Sequence, residues 1–141
     1  MNEAAFIFIP ALGALCWGIG GTWHKPTRRF IYPALAALLL GIWGAEWWSA
    51  LLFGFASAAV FSLGYGDGKS WLWRGVVGSL YGASIIPLGP FGFLAPPFLL
   101  LVFTGQMALS RKFNWWQHKA VEVSTGFVHG FMACFVASGG W

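Results

Sequence analysis

The chain has 141 residues, 58% of them hydrophobic and 9% charged, with a net charge of +4 and a mean hydropathy of +0.70. A soluble domain carries roughly 25% charged residues. The shortfall excludes a water-exposed globular surface and makes lipid the expected solvent.

Four stretches are nearly free of charge: residues 4–24, 30–64 with Glu46 alone, 75–110 and 123–141. A hydrocarbon layer about 30 Å thick takes about 20 apolar residues as helix. The first and last stretches therefore suit one span each, and the middle two, 35 and 36 residues long, suit two short spans each. The N-terminal stretch has Glu3 as its only early charge and no basic region, so it reads as a first span and not as a secretory signal.

The stretch "GTWHKPTRR" (21–29) then places Lys25, Arg28 and Arg29 in what reads as a loop. Farther on, "GIWGAEWWSA" (41–50) combines Gly41, Gly44, Glu46 and three Trp. Trp prefers the headgroup level and a lone Glu is costly in hydrocarbon, so the chain is expected to turn at the surface there. A second basic loop, 65–74, contains Asp67, Lys69 and Arg74. After it, "IIPLGPFGFLAPP" (85–97) packs four Pro and two Gly into thirteen residues. Pro breaks helices, and irregular backbone is not tolerated against lipid, which places a second turn at the surface. A third basic loop, 110–119, holds Arg111, Lys112 and Lys119.

The expectation is an all-α integral membrane protein, a single polytopic domain over 1–141. Its six short spans, at about 4–20, 30–44, 47–64, 72–86, 95–110 and 120–138, would form three hairpins. A four-span arrangement is the alternative, but it would bury Glu46 and three Trp mid-membrane and leave Pro87 and Pro90 inside a helix. With six spans, all eight basic residues fall on one side, together with Asp67 and Glu122, and the other side holds Glu3 and Glu46 without a base. The positive-inside rule makes the basic side cytoplasmic and both termini non-cytoplasmic. Trp follows the same division, with Trp17, Trp23, Trp71, Trp73, Trp115 and Trp116 near the basic side and Trp43, Trp47, Trp48 and Trp141 near the other. The bacterial inner membrane is the expected location. "GIGGTWHKPTR" (18–28) and "GYGDGKSWLWR" (64–74) share Gly, Gly and Arg at an offset of 46 residues, a trace of internal repetition that the third loop does not match.

Small residues line several spans. "GSLYG" (Gly78, Gly82) and "GFVHG" (Gly126, Gly130) have the Gly-x-x-x-Gly spacing that lets helices approach closely. They suit packing within one subunit, or a self-association face. A homo-oligomer is expected, because six short helices enclose little interior of their own.

His118, Glu122, Thr125 and His129 recur at spacings of four, three and four, which is one face of the last helix. His129 lies nine residues into the span, near mid-membrane at about 1.5 Å per residue. Such a stripe suits the lining of a pore or a proton path. It also suits a structural role, with Glu122 paired to Lys119 or a loop base and His129 hydrogen-bonded to a neighbouring helix.

The bases Lys25, Arg28, Arg29, Lys69, Arg74, Arg111, Lys112 and Lys119 are expected to set topology and attract anionic headgroups. Spread over three short loops, they do not form a nucleic-acid surface. No cofactor and no metal is expected, since only His129 is deep and His24 and His118 sit among bases. Cys16 and Cys134 fall at different depths, as small packing residues. His-Glu-x-x-His, Gly-x-Ser-x-Gly and Walker patterns are absent, and no enzyme activity is expected.

Two functions follow. The first is a small oligomeric pore or transport protein, channel- or holin-like in type, its path lined by the stripe. The alternative is a non-catalytic structural or assembly subunit of a larger membrane complex.

Overall fold

The computed structural model describes the backbone of residues 2–63, 70–110 and 114–139, and their side chains except at 110 and 115–117. Among these residues the protein is all-helical, with six helices and no strand. They are α1 (Ala5–Gly18), α2 (Tyr32–Ile42), α3 (Trp47–Ser62), α4 (Trp71–Ile85), α5 (Ala95–Ser110) and α6 (Trp115–Ala137).

The breaks between helices have local causes. After α2 the chain turns at Gly44, whose φ of +115° favours a residue without Cβ, and Ala45 N–H returns to the Leu40 carbonyl at 2.8 Å. Glu46 is extended and precedes α3, its backbone carbonyl accepting from Ala50 N–H at 3.0 Å and from the Ser49 hydroxyl at 2.9 Å. Between α4 and α5 lie two short 3-10 turns, Ile86–Leu88 and Gly92–Leu94. Pro96 and Pro97 then occupy the first turn of α5, where the missing N–H costs nothing. Four continuous long helices are excluded by these breaks. At the start of α4, the Ser70 hydroxyl accepts from Trp73 N–H at 3.3 Å.

One expected loop is helical instead. Residues 21–23 form a 3-10 turn, His24–Pro26 an α turn and Thr27–Ile31 a π turn that runs directly into α2. Pro26 is tolerated because it stands in the opening turn, and the wide π turn brings Thr27 and Arg28 to the inside.

The helices form a closed ring in chain order. Each packs against its neighbours in sequence, and α1 completes the circuit against α6. Packing around the ring alternates. The tight pairs are α1 with α6, α4 with α5 and α2 with α3, while the pairs joined across the basic segments pack more loosely. The closest pairs of neighbours in the chain are thus joined at the turns 43–46 and 86–94, and the first and last helices make the third close pair. The cause is small residues at facing positions. Gly13 and Gly126 bring their backbones together, so that a Cβ on either would run into the other's carbonyl. A Cβ at Gly130 would stand 2.5 Å from the Ile9 carbonyl oxygen, one at Gly78 2.6 Å from that of Leu99, and one at Gly82 would strike the backbone of Pro96. All four glycines of the two Gly-x-x-x-Gly motifs thus face contacts within the chain.

The two ends of the ring differ. At one end the Cys134 thiol reaches the Ala5 carbonyl at 3.3 Å and Asn2 N–H donates to the Trp43 carbonyl at 3.1 Å. Both described chain ends and the turn at 43–46 therefore gather there. Lys25, Arg28, Arg29, Arg74 and Lys119 belong to the segments at the opposite end. Lys69, Arg111 and Lys112, with Asp67, lie outside the described residues. Among the described residues, two stretches, Gly92–Leu109 and His118–Ala137, are long and apolar enough to cross a membrane, with mean hydropathies of 1.6 and 1.4.

Candidate functional site

Each of the six helices contributes a buried ring-bearing side chain to one interior group, and α3 adds a second, Phe53, against Tyr81. The six are Trp17, Tyr32, Phe61, Tyr81, Phe103 and His129, none more than 1% exposed. Trp17 and Phe61 stand near the ends of α1 and α3 and Tyr32 begins α2, toward the basic segments, whereas Tyr81, Phe103 and His129 stand farther along their helices. His129 is at the centre of the group. Its imidazole centroid is 4.5 Å from that of Phe103, 4.6 Å from Trp17, 4.7 Å from Tyr81 and 6.0 Å from Phe61. These separations match preferred aromatic packing. The Tyr32 and Tyr81 hydroxyls meet at 3.1 Å in the same interior, which gives each buried O–H a partner. On the far side, a second buried pair joins the Ser57 and Ser84 hydroxyls at 3.1 Å.

An ion pair covers this group at the basic end. Arg28 is 7% exposed. Its Nη2 donates to the Trp17 carbonyl at 3.1 Å and lies 3.3 Å from Glu122 Oε1. Its guanidinium carbon is 5.4 Å from the centroid of the Trp17 ring, within cation–π range. Lys119 Nζ approaches the other carboxylate oxygen of Glu122 at 3.2 Å. Glu122 thus links α6 to the turn before α2. Beside it, His24 Nδ1 is 2.6 Å from the Ile19 carbonyl, so this nitrogen carries the proton. Burial holds the His24 pKa below its ordinary value near 6.5. The bond to Ile19 opposes that shift, Arg28 and Lys119 reinforce it, and Glu122 opposes it.

The four stripe residues descend from surface to axis. His118 is exposed, Glu122 side-chain exposure is 32%, Thr125 is buried at 4% and His129 is at 0%. Thr125 donates its hydroxyl to the Val121 carbonyl one turn back at 2.7 Å. Of the basic set, Lys25 is exposed and Arg29, Arg74 and Lys119 are partly buried, whereas Arg28 is turned inward.

The sequence pattern groups Trp17 with the interfacial tryptophans. It stands at that depth but points to the axis, because Gly126 and Gly13 bring α6 close enough to cover it. Trp23, Trp47, Trp48, Trp71 and Trp73 are exposed. Sequence reasoning reached His129 and Glu122 but missed Trp17, Tyr32, Phe61, Tyr81 and Phe103. One usable signal was rarity, since the chain has 3 Tyr against 14 Phe and 10 Trp, and Tyr32 and Tyr81 are two of those three. Among the described residues, no group of three or more His, Cys, Asp and Glu stands close enough to hold a metal ion, and Cys16 and Cys134 are buried free thiols.

The chain matches no family model, no curated protein and no solved structure.

Proposed function

We propose that the protein is a six-span membrane protein with its basic segments in the cytoplasm and both ends on the other side, and that it acts as a small transport protein. The membrane reading is supported by the outer surface. Phe55 is 75% exposed, Leu101 70% and Ile7 67%, on three different helices. Monomeric soluble proteins rarely expose apolar surface so widely. The two longest apolar stretches are only 28% and 44% buried inside the molecule, unlike core helices of a soluble protein.

The transport reading rests on one observation: a polar face of α6 leads from the basic end to a histidine packed against rings from four other helices. Intramembrane ionisable groups mark substrate and proton paths, and transporters bind at the meeting point of their helices. In this arrangement the axis is closed by Trp17 and the Arg28–Glu122 pair, and opening requires parting the loose seam between α1 and α2. The second reading, a non-catalytic subunit of a larger complex, is favoured by the same packed axis if it never opens.

The test is solute and ion release from liposomes holding the purified protein, with probes of graded size, at pH 5 and pH 8. Release with a size cut-off supports transport, and His129→Ala should then alter the flux or its pH dependence. Folded, inserted protein that releases nothing removes the transport reading in favour of the subunit reading, which stoichiometric co-purification from native membrane would support.

A further inference from the structure

We propose that the outer groove between α2 and α3 is a binding site for one anionic phospholipid, its acyl chain in the groove and its headgroup at Arg29. The proposal rests on the membrane reading above and gives one face of the bundle a specific ligand.

The groove holds about 610 Å³, within the range of ligand sites. Its floor exists because α2 and α3 touch through small residues. A Cβ at Gly54 would stand 2.9 Å from that of Ala37 and 3.4 Å from the Pro33 carbonyl oxygen. The walls are larger: Phe30 and Leu38 from the α2 side, Leu51 and Phe55 from α3. Phe30 to Leu38 spans eight residues, about 12 Å of helix at 1.5 Å each. This is a long, apolar, open trough, a shape suited to a hydrocarbon chain.

Charge sets the ligand's class and direction. Arg29 adjoins the lining residue Phe30 in the chain and precedes the lining residue Pro33 by one helical turn, with exposed Lys25 one turn earlier, which puts these two bases at the Phe30 end of the trough. At the other end the lining includes Trp47, which follows the exposed Glu46 in the chain. One mouth is therefore positive and the other negative, which orients an anionic headgroup to Arg29 and excludes the reverse. A neutral partner helix would gain nothing from this polarity. Arg28, engaged inside with Glu122 and Trp17, does not contribute.

The experiment is native mass spectrometry of detergent-purified protein titrated with phosphatidylglycerol or phosphatidylcholine. Wild type should retain phosphatidylglycerol in preference. Arg29→Gln should reduce that preference by about fivefold, the worth of one base near a charged surface. Ala34→Phe with Ala58→Phe fills the trough from its accessible side and should abolish retention of both lipids. A photoreactive acyl chain should cross-link to α3 near Leu51 and Phe55 in the unaltered chain, which tests the site without relying on variants. Equal retention of the two lipids, unchanged retention in the filled variant, or cross-links elsewhere would overturn the site, and so would capture of a second copy of the chain across Leu38 and Leu51. A chain that stays dispersed and folded without detergent would instead overturn the membrane reading beneath it.

Discussion

At the scale of single residues, the interior is held by a few polar pairs set among rings. The Tyr32 and Tyr81 hydroxyls satisfy one another. Removing one strands the other in an apolar interior, whereas removing both leaves nothing unpaired. Tyr32→Phe and Tyr81→Phe should each cost about 1 kcal/mol, in the range of hydrogen bonds between membrane helices. The double variant should cost no more than either single one, and unfolding in mixed micelles would measure the cycle. Additive losses would mean that the hydroxyls act separately. His24 gives a pH-dependent counterpart. Its folded pKa lies below the ordinary 6.5, so the folded state resists protonation. The contribution to stability is complete above about pH 6.5 and declines as pH falls from there toward the lowered value. His24→Gln keeps a donor for the Ile19 carbonyl and removes the titration. Melting temperature followed from pH 8 to pH 5 should fall less for the variant than for wild type. Parallel curves would show that His24 does not titrate differently on unfolding.

At the scale of helices, close approach decides both stability and what the sequence revealed. Gly126 and Gly105 lie in helices of similar character, yet a Cβ at Gly126 collides with the Gly13 carbonyl and one at Gly105 meets nothing within 4 Å. Gly126→Ala should destabilise by about 1–3 kcal/mol or more, the cost of overpacking against backbone. Gly105→Ala should stabilise by about 0.5–1 kcal/mol, the helix preference of Ala over Gly. Thermal unfolding of the two variants would separate packing glycines from incidental ones. The turns at 43–46 and 86–94 were legible in the sequence because their signals are local: Gly44 with Glu46 and Trp in one, and Pro87, Pro90, Pro96 and Pro97 in the other. The helical turns at 24–31 were not legible, because Pro26 and three bases resemble a loop when the π turn that seats Arg28 is unseen. His129 and Glu122 could be found from their spacing on α6. The rings around them could not, because in helices apolar on every side nothing in the pattern separates the outer face from the face toward the axis. The six-span expectation, made from lengths, therefore located the helices without predicting which of them pair tightly.

At the scale of the whole molecule, the ring order and the charge distribution make one joint statement about threading. Asn2, Ala5, Trp43 and Cys134 gather at one end, and the bases of the described residues belong to segments at the other. On the proposed six-span reading, an even number of spans puts both chain ends on one side, and the positive-inside rule would make that side non-cytoplasmic. Moving the Arg28–Glu122 pair to the outer surface would carry Lys25, Arg29 and Lys119 with it, against the same rule. Single cysteines replacing Asn2, Ser138 and Lys25 test this directly, because the native Cys16 and Cys134 are buried and exchanged for Ala in the background. A membrane-impermeant maleimide added to intact cells should label the Asn2 and Ser138 positions. The Lys25 position should react only after permeabilisation. Labelling of Lys25 from outside would invert the orientation, and labelling at only one of the two chain ends would break the even span count on which the closed ring of six helices depends.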